Sequence, residues 1–214
     1  MHYISQVTID MKDENTMEAV RNPYLFHGAI EKAVDTAGRQ EKGRTLWRRD
    51  GNRILFVSET RPDLKGMEDQ FGGAGQTKEY TLPDHVKNGD CLFFRLLANP
   101  ARTVNITDKK TGEIVRRARL ICRTVDDQMF WLQDKAGRGG FALEDGGVFI
   151  VRSFRQSVFR HRDEAPVQFL AVQYEGYLAV TDADAFRETI FRGLGREKAF
   201  GCGMLSIIRG GNHA

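Results

Sequence analysis

Hydrophobic residues in this chain change period in a fixed order, and the same order comes round twice. Tyr3 to Asp10 alternates polar and apolar, the period of a strand. Asn22-Pro23 then has the residues of a helix start, Asn22 as N-cap and Pro23 at the first helical position. Phe26, Ala29, Ile30, Ala33, Val34 and Ala37 recur at helical spacing, and Gly38 supplies a stop. Thr45 to Arg49 and Arg53 to Glu59 flank Asp50-Gly51, a dipeptide that favours the positive φ angles of a tight hairpin. Arg61 to Gln70 is read as a short helix, and Lys78 to Leu82 as a returning strand. The succession β-α-β-β-α-β predicts a ferredoxin-like unit.

Pro83 to Asp90 is polar and reads as a linker, after which the pattern restarts. Cys91 to Leu97 is strand-like. Arg102 to Ile106 and Ile114 to Leu120 enclose a polar tip, Asp108 to Glu113, and predict a basic hairpin. Thr124-Val-Asp-Asp127 has the form of a capping box ahead of a helix carrying Phe130, Trp131 and Leu132. Val148 to Val151 and Val167 to Val180 predict strands, Thr181 or Asp182 caps a helix through Phe191, and Met204 to Ile208 closes the sheet. The expected fold is α+β, with tandem ferredoxin-like (RRM-like) βαββαβ domains over residues 1–84 and 91–214.

Charge and cysteine usage narrow the functional classes. The net charge is +3, but residues 108–162 hold twelve Lys or Arg against seven Asp or Glu, so the rest of the chain is slightly acidic. Such a basic segment either meets a polyanion, releasing its counterions, or is a solvated surface. Cys91, Cys122 and Cys202 are far apart and form no C-x-x-C pair, so neither a zinc ribbon nor a disulfide framework is expected. No metal or cofactor is expected either. No apolar run approaches the ~18 residues of a membrane span, and MHYISQVTID does not read as a signal peptide, which makes the cytoplasm the expected compartment.

Several residues could carry chemistry. His27 lies about a quarter-turn from the apolar stripe of Phe26, Ile30, Ala33 and Ala37, with Tyr24 and Glu31 further round on the same side. Tyr24 and His27 are helical neighbours at i, i+3. From the residues alone His27 is either an acid–base group or a structural histidine. Tyr24 is either a contact to ribose or phosphate, or a rim aromatic. Gly193 and Gly195 follow a helix, and Gly201 and Gly203 enter a strand. They either shape a turn or form, with Lys198, a loop whose amides hold phosphate; Gly195-Arg-Glu-Lys198 lacks the spacing of a Walker loop. Lys109, Lys110, Arg116, Arg117 and Arg119 lie on the hairpin, and Arg152, Arg155, Arg160 and Arg162 follow. These either dock on an RNA stem or blunt a sheet edge. Asp182-Ala-Asp184 is explained by helix capping rather than magnesium. Arg138-Gly-Gly-Phe-Ala142 lacks the full RRM aromatic pattern. His161 is a second acid–base group or a surface residue.

The run Tyr174-Glu-Gly-Tyr-Leu-Ala-Val-Thr-Asp182, followed by Gly193-Leu-Gly-Arg-Glu-Lys-Ala-Phe-Gly-Cys-Gly-Met-Leu-Ser206, resembles the glycine-rich signature of the repeat-associated RNA-processing superfamily. Phe94-Arg-Leu-Leu-Ala-Asn-Pro100, Phe130-Trp-Leu-Gln133 leading to Gly140-Phe141, and Tyr24-Leu-Phe-His27 agree in order. Together these segments span nearly the whole chain and resemble the CasE family of CRISPR pre-crRNA endoribonucleases, a subunit of type I-E Cascade.

That resemblance implies tandem ferredoxin-like domains, metal-independent cleavage of CRISPR repeat RNA at the base of its hairpin, retention of the product and assembly with other Cascade subunits. It also implies a monomer in isolation. By the family's Tyr-x-x-His pattern it makes His27 and Tyr24 catalytic. The chemistry is attack by a ribose 2′-hydroxyl on the adjacent phosphate, with His27 as general base or as acid at the leaving oxygen. The expected products are a 2′,3′-cyclic phosphate and a 5′-hydroxyl. The alternatives are a non-catalytic RNA-binding subunit of the same fold and a metal-dependent nuclease.

Overall fold

The computed structural model describes residues 1–35, 45–159 and 165–209. The first unit contains β1 (Tyr3–Thr8), α1 (Glu14–Arg21), α2 (Tyr24–Asp35), β2 (Leu46–Asp50), β3 (Arg53–Ser58), α3 (Lys65–Phe71) and β4 (Gly75–Glu79). Its antiparallel sheet runs β2-β3-β1-β4. A short 3-10 turn, Leu82–His85, leads to the second unit. That unit contains β5 (Cys91–Ala98), β6 (Ala101–Thr107), β7 (Ile114–Ile121), α4 (Val125–Arg138), β8 (Phe141–Val158), β9 (Val167–Val180), α5 (Ala183–Arg192) and β10 (Leu205–Arg209). Its sheet runs β10-β5-β9-β8, and β6-β7 stand apart as a two-stranded ribbon. In both sheets the first and third strands of the unit lie in the centre and the fourth and second at the edges. The fold is a tandem of ferredoxin-like units, the second with a hairpin inserted after its first strand.

The helical stripe predicted for α2 is the face it buries: Phe26, Ile30 and Ala33 pack with Trp47, Phe56 and Phe71. Ala37 and Gly38, the predicted end of that helix, lie outside the described residues. The start differs from expectation. A separate helix, α1, precedes it, with Asp13 capping through Thr16 N at 2.8 Å. Asn22 ends that helix, its backbone N–H donating to Glu18 O. Its carbonyl accepts from Leu25 N at 3.0 Å, so α2 begins on it, but its side chain is used elsewhere. Pro23 precedes α2 rather than opening it. Asp182 does cap α5, and Thr124 caps α4.

β8 is far longer than the predicted Val148–Val151, at 18 residues. Its register against β9 shifts between Leu143 and Val148, so the alternation of apolar residues changes phase part-way along the strand. β4 likewise sits earlier than the predicted Lys78–Leu82.

The larger core lies under the second sheet around Phe94, Trp131, Phe141, Tyr174 and Phe186. A small third cluster, built from Val158, Phe169, Ala171, Phe200 and Cys202, is joined by Tyr24 from the first unit. A polar network also crosses between the units. Buried Arg48 on β2 makes a two-pronged pair with Asp50 and donates to Ser206 Oγ on β10 at 2.9 Å. Arg95 on β5 joins Asp50 to Glu175 on β9. Removing one charge would strand its partner, the costly way to break such a network.

Candidate active site

Tyr24 and His27 lie on the first turn of α2, with ring centroids 6.0 Å apart and planes tilted by 48°. The His27 side chain is only 24% exposed, and its Nδ1 is buried without a hydrogen-bond partner among the described residues. Glu31 Oε1 approaches Nδ1 at 3.9 Å, one helical turn on, which is an electrostatic contact and too long for a hydrogen bond. Burial lowers the His27 pKa below its ordinary 6.5, and Glu31 partly opposes the shift. The imidazole is therefore largely neutral at pH 7. A proton on Nδ1, the side facing Glu31, leaves the lone pair of Nε2 to accept another.

The second unit buttresses this turn. Tyr24 meets the edge of Phe200 at 6.4 Å, and Phe200 stacks on Phe169 at 5.8 Å. Asn22 pairs with the backbone at the end of β8: its Nδ2 donates to Phe159 O at 2.9 Å, and its Oδ1 accepts from Phe159 N at 3.3 Å. Neither Asn22 nor Phe200 stands out in the sequence as a site residue. Each acts through a residue far away along the chain, and local pattern carries no signal of that.

The glycine-rich run forms a wall beside Phe200. Gly193 and Gly203 both have positive φ, and their backbones approach so closely that a Cβ on Gly203 would stand 2.6 Å from Leu194 O. The amides of Gly193, Gly201 and Gly203 donate to Thr189 O, Lys198 O and Leu97 O. These three amides donate within the protein, which ties the run to α5 and β5. Gly195 sits against Trp131. Lys198 lines a depression with Glu188 and Arg192.

The basic hairpin projects from the second unit and is pinned at its base. Arg102 pairs with Asp127 on α4 at 3.0 Å, and Arg119 pairs with Glu197 of the glycine-rich run at 3.1 Å. Lys109, Lys110, Arg116 and Arg117 are exposed beyond those anchors, and Arg155 is exposed on β8. At the tip Asp108 accepts from the amides of Lys110 and Thr111, fixing the turn that presents both lysines. Arg160, His161 and Arg162 lie outside the described residues. Among the described residues no group of His, Cys, Asp or Glu converges as a metal site, and no helix is long and apolar enough to cross a membrane.

Residues 2–209 match the family described as CRISPR associated protein. The CRISPR-associated endoribonuclease Cse3 of Thermus thermophilus is 30% identical over 96% of this chain and 99% of its own length. The CRISPR system Cascade subunit CasE of Escherichia coli is 31% identical over 86% of each chain. This chain belongs to the CasE family. Among solved structures, Thermus thermophilus Cse3 bound to an RNA representing a pre-cleavage complex superposes with a TM-score of 0.80, at 28% identity and covering 97% of this chain and 98% of that one. In this CasE-family chain the likeness extends through both units.

Proposed function

We propose that this chain is the endoribonuclease that cuts CRISPR repeat RNA and keeps its product as a subunit of Cascade. The observation that carries the reading is His27: a neutral, half-shielded imidazole beside Tyr24, in a chain of the CasE family. His27 accepts the proton of the 2′-hydroxyl as the oxygen bonds to the adjacent phosphorus; the bond from phosphorus to the 5′-oxygen breaks, and that oxygen takes a proton from water. The products are a 2′,3′-cyclic phosphate and a 5′-hydroxyl, and the step needs no metal. Tyr24, steadied by Phe200, orients the ribose or donates to the phosphate.

Labour divides between residues 1–84, which carry the acid–base group, and residues 91–214, which hold the RNA. Lys109, Lys110, Arg116 and Arg117 lie along the exposed part of the hairpin, where they can follow the phosphates of an RNA stem. Arg155, exposed on β8, is a further cation for the same RNA. The Cascade partnership follows the relative named as a Cascade subunit. The reaction takes place in the cytoplasm, consistent with three free cysteines.

The test is incubation with repeat RNA in excess EDTA, beside an RNA carrying one 2′-deoxy nucleotide at the cut. Cleavage of the first alone is expected. Binding without cleavage would instead favour a non-catalytic RNA-binding subunit, and loss of cleavage in EDTA would point to metal.

A further inference from the structure

Arg49 on β2 and Arg152 on β8 come from different units and face one cleft of about 130 Å³. Pro23, Phe26, Trp47 and Phe200 supply its apolar walls. We infer that this cleft is a second phosphate site, which grips an uncut phosphodiester of the same RNA strand close to the one cleaved. The inference rests on the endoribonuclease reading and adds to it a specific pair of residues outside the catalytic turn and the hairpin.

Both guanidinium groups are preset. Arg49 Nη1 donates to Gly51 O at 2.7 Å, and Arg152 Nε donates to Gln173 Oε1 at 2.8 Å. Arg152 also lies over the Phe154 ring, 5.2 Å from its centroid. A guanidinium carries five N–H donors in a rigid fork, so one fixing bond leaves most of the fork to present to a ligand.

Among the described residues, no ion pair holds either guanidinium. Burial and the neighbouring Arg152 both disfavour the charged form of Arg49, and Asp50 compensates in part. Asp50 is already held by Arg48 and Arg95. Two like charges brought together in a partly apolar cleft raise each other's energy, and an anion between them relieves it. Charge-assisted, fork-like contacts suit a phosphate group in particular.

Position identifies the source of the phosphate. Pro23 is the residue before Tyr24, and Phe200 is the ring on which Tyr24 rests, so one wall of the cleft is the back of the catalytic turn. The phosphate assigned to the cleft is therefore one that neighbours the cleaved phosphate on the same strand. Because the arginines belong to different units, a phosphate held between them ties the units together around the substrate.

The test measures binding of an uncleavable repeat RNA, 2′-deoxy at the cut, in which single phosphates are replaced by neutral methylphosphonates. In the wild-type protein one replacement outside the scissile position is expected to weaken binding roughly tenfold through this site. In Arg49→Gln, and separately in Arg152→Gln, that same replacement should cost nothing further, while every other replacement keeps its full effect. Thermal melts establish that each variant is folded, and having two variants covers the failure of either. Penalties unchanged at every position in both variants would overturn the site. If the wild-type protein bound no repeat RNA at all, the endoribonuclease reading would fall, and sulfate would decide the cleft separately. A saturable change in tryptophan emission that Arg49→Gln removes would support an anion site beside Trp47, and no response would overturn it.

Discussion

In the first unit the strands are five or six residues long, and the helices α1, α2 and α3 pack closely around Phe26. In the second, β8 and β9 run to 18 and 14 residues, and a ribbon of two further strands stands out from the body. Strand order is the same in both. What differs is how much chain extends past the shared frame. The proton-transfer role proposed for His27 needs a fixed environment, and the short unit provides it on the first turn of α2, beside Tyr24 and Glu31. The grip on a long polyanion proposed for the second unit needs reach, which the extended strands and hairpin offer. On the proposed reading, catalysis and grip occupy copies of one topology, elaborated to different degrees.

Four experiments would break or sharpen this contrast. The largest effect is expected from His27→Ala, which should slow cleavage by roughly 10²–10⁴-fold under single-turnover conditions while RNA affinity changes little. A comparable drop in affinity would mean that the first unit grips as well as cuts. Next is replacement of Lys109, Lys110, Arg116 and Arg117 together by Ala. The slope of log affinity against log salt should flatten by about 0.9 for each phosphate that is no longer neutralised, with the rate at saturating RNA nearly intact. A normal salt slope would remove the hairpin from the interface.

A smaller change is expected from Gly203→Ala, where positive φ and the Leu194 carbonyl both oppose a side chain. Destabilisation of about 1–3 kcal/mol should lower the melting midpoint by several degrees. An unchanged midpoint would show that the loop can move. The subtlest is Glu31→Gln. Glu31 raises the His27 pKa, so its neutralisation lowers that pKa further. If His27 is the base, the acid limb of the rate–pH profile moves to lower pH. If it is the acid, the alkaline limb moves down instead, and neutral activity falls.

The order of elements, and hence the tandem fold, is legible because each unit is written in local periods. The buried stripe of α2 and the caps at Thr124 and Asp182 are legible for the same reason. α1 escapes a reading by pattern because its eight residues offer the core little beyond Ala19 and Thr16. The length of β8 is hidden by a register shift that no single alternation can span. At the site, Tyr24 and His27 are readable as neighbours on one helix. The support from Asn22, Phe200 and the end of β8 is not, because it joins segments that are distant in sequence. The glycines are where the sequence puts them, yet the amides of Gly193, Gly201 and Gly203 satisfy protein carbonyls, which no local pattern announces.

The two ion pairs at the root of the hairpin have a practical consequence. Everything beyond Arg102 and Arg119 leaves the body as a single cantilever, bolted to α4 on one side and to the glycine-rich run on the other. If the proposed division of labour holds, such a part is exchangeable between relatives without disturbing the turn that carries His27, provided that the two pairs are kept. On the proposed reading, stems of other length or shape are then met by changing the tip, while His27 stays where it is.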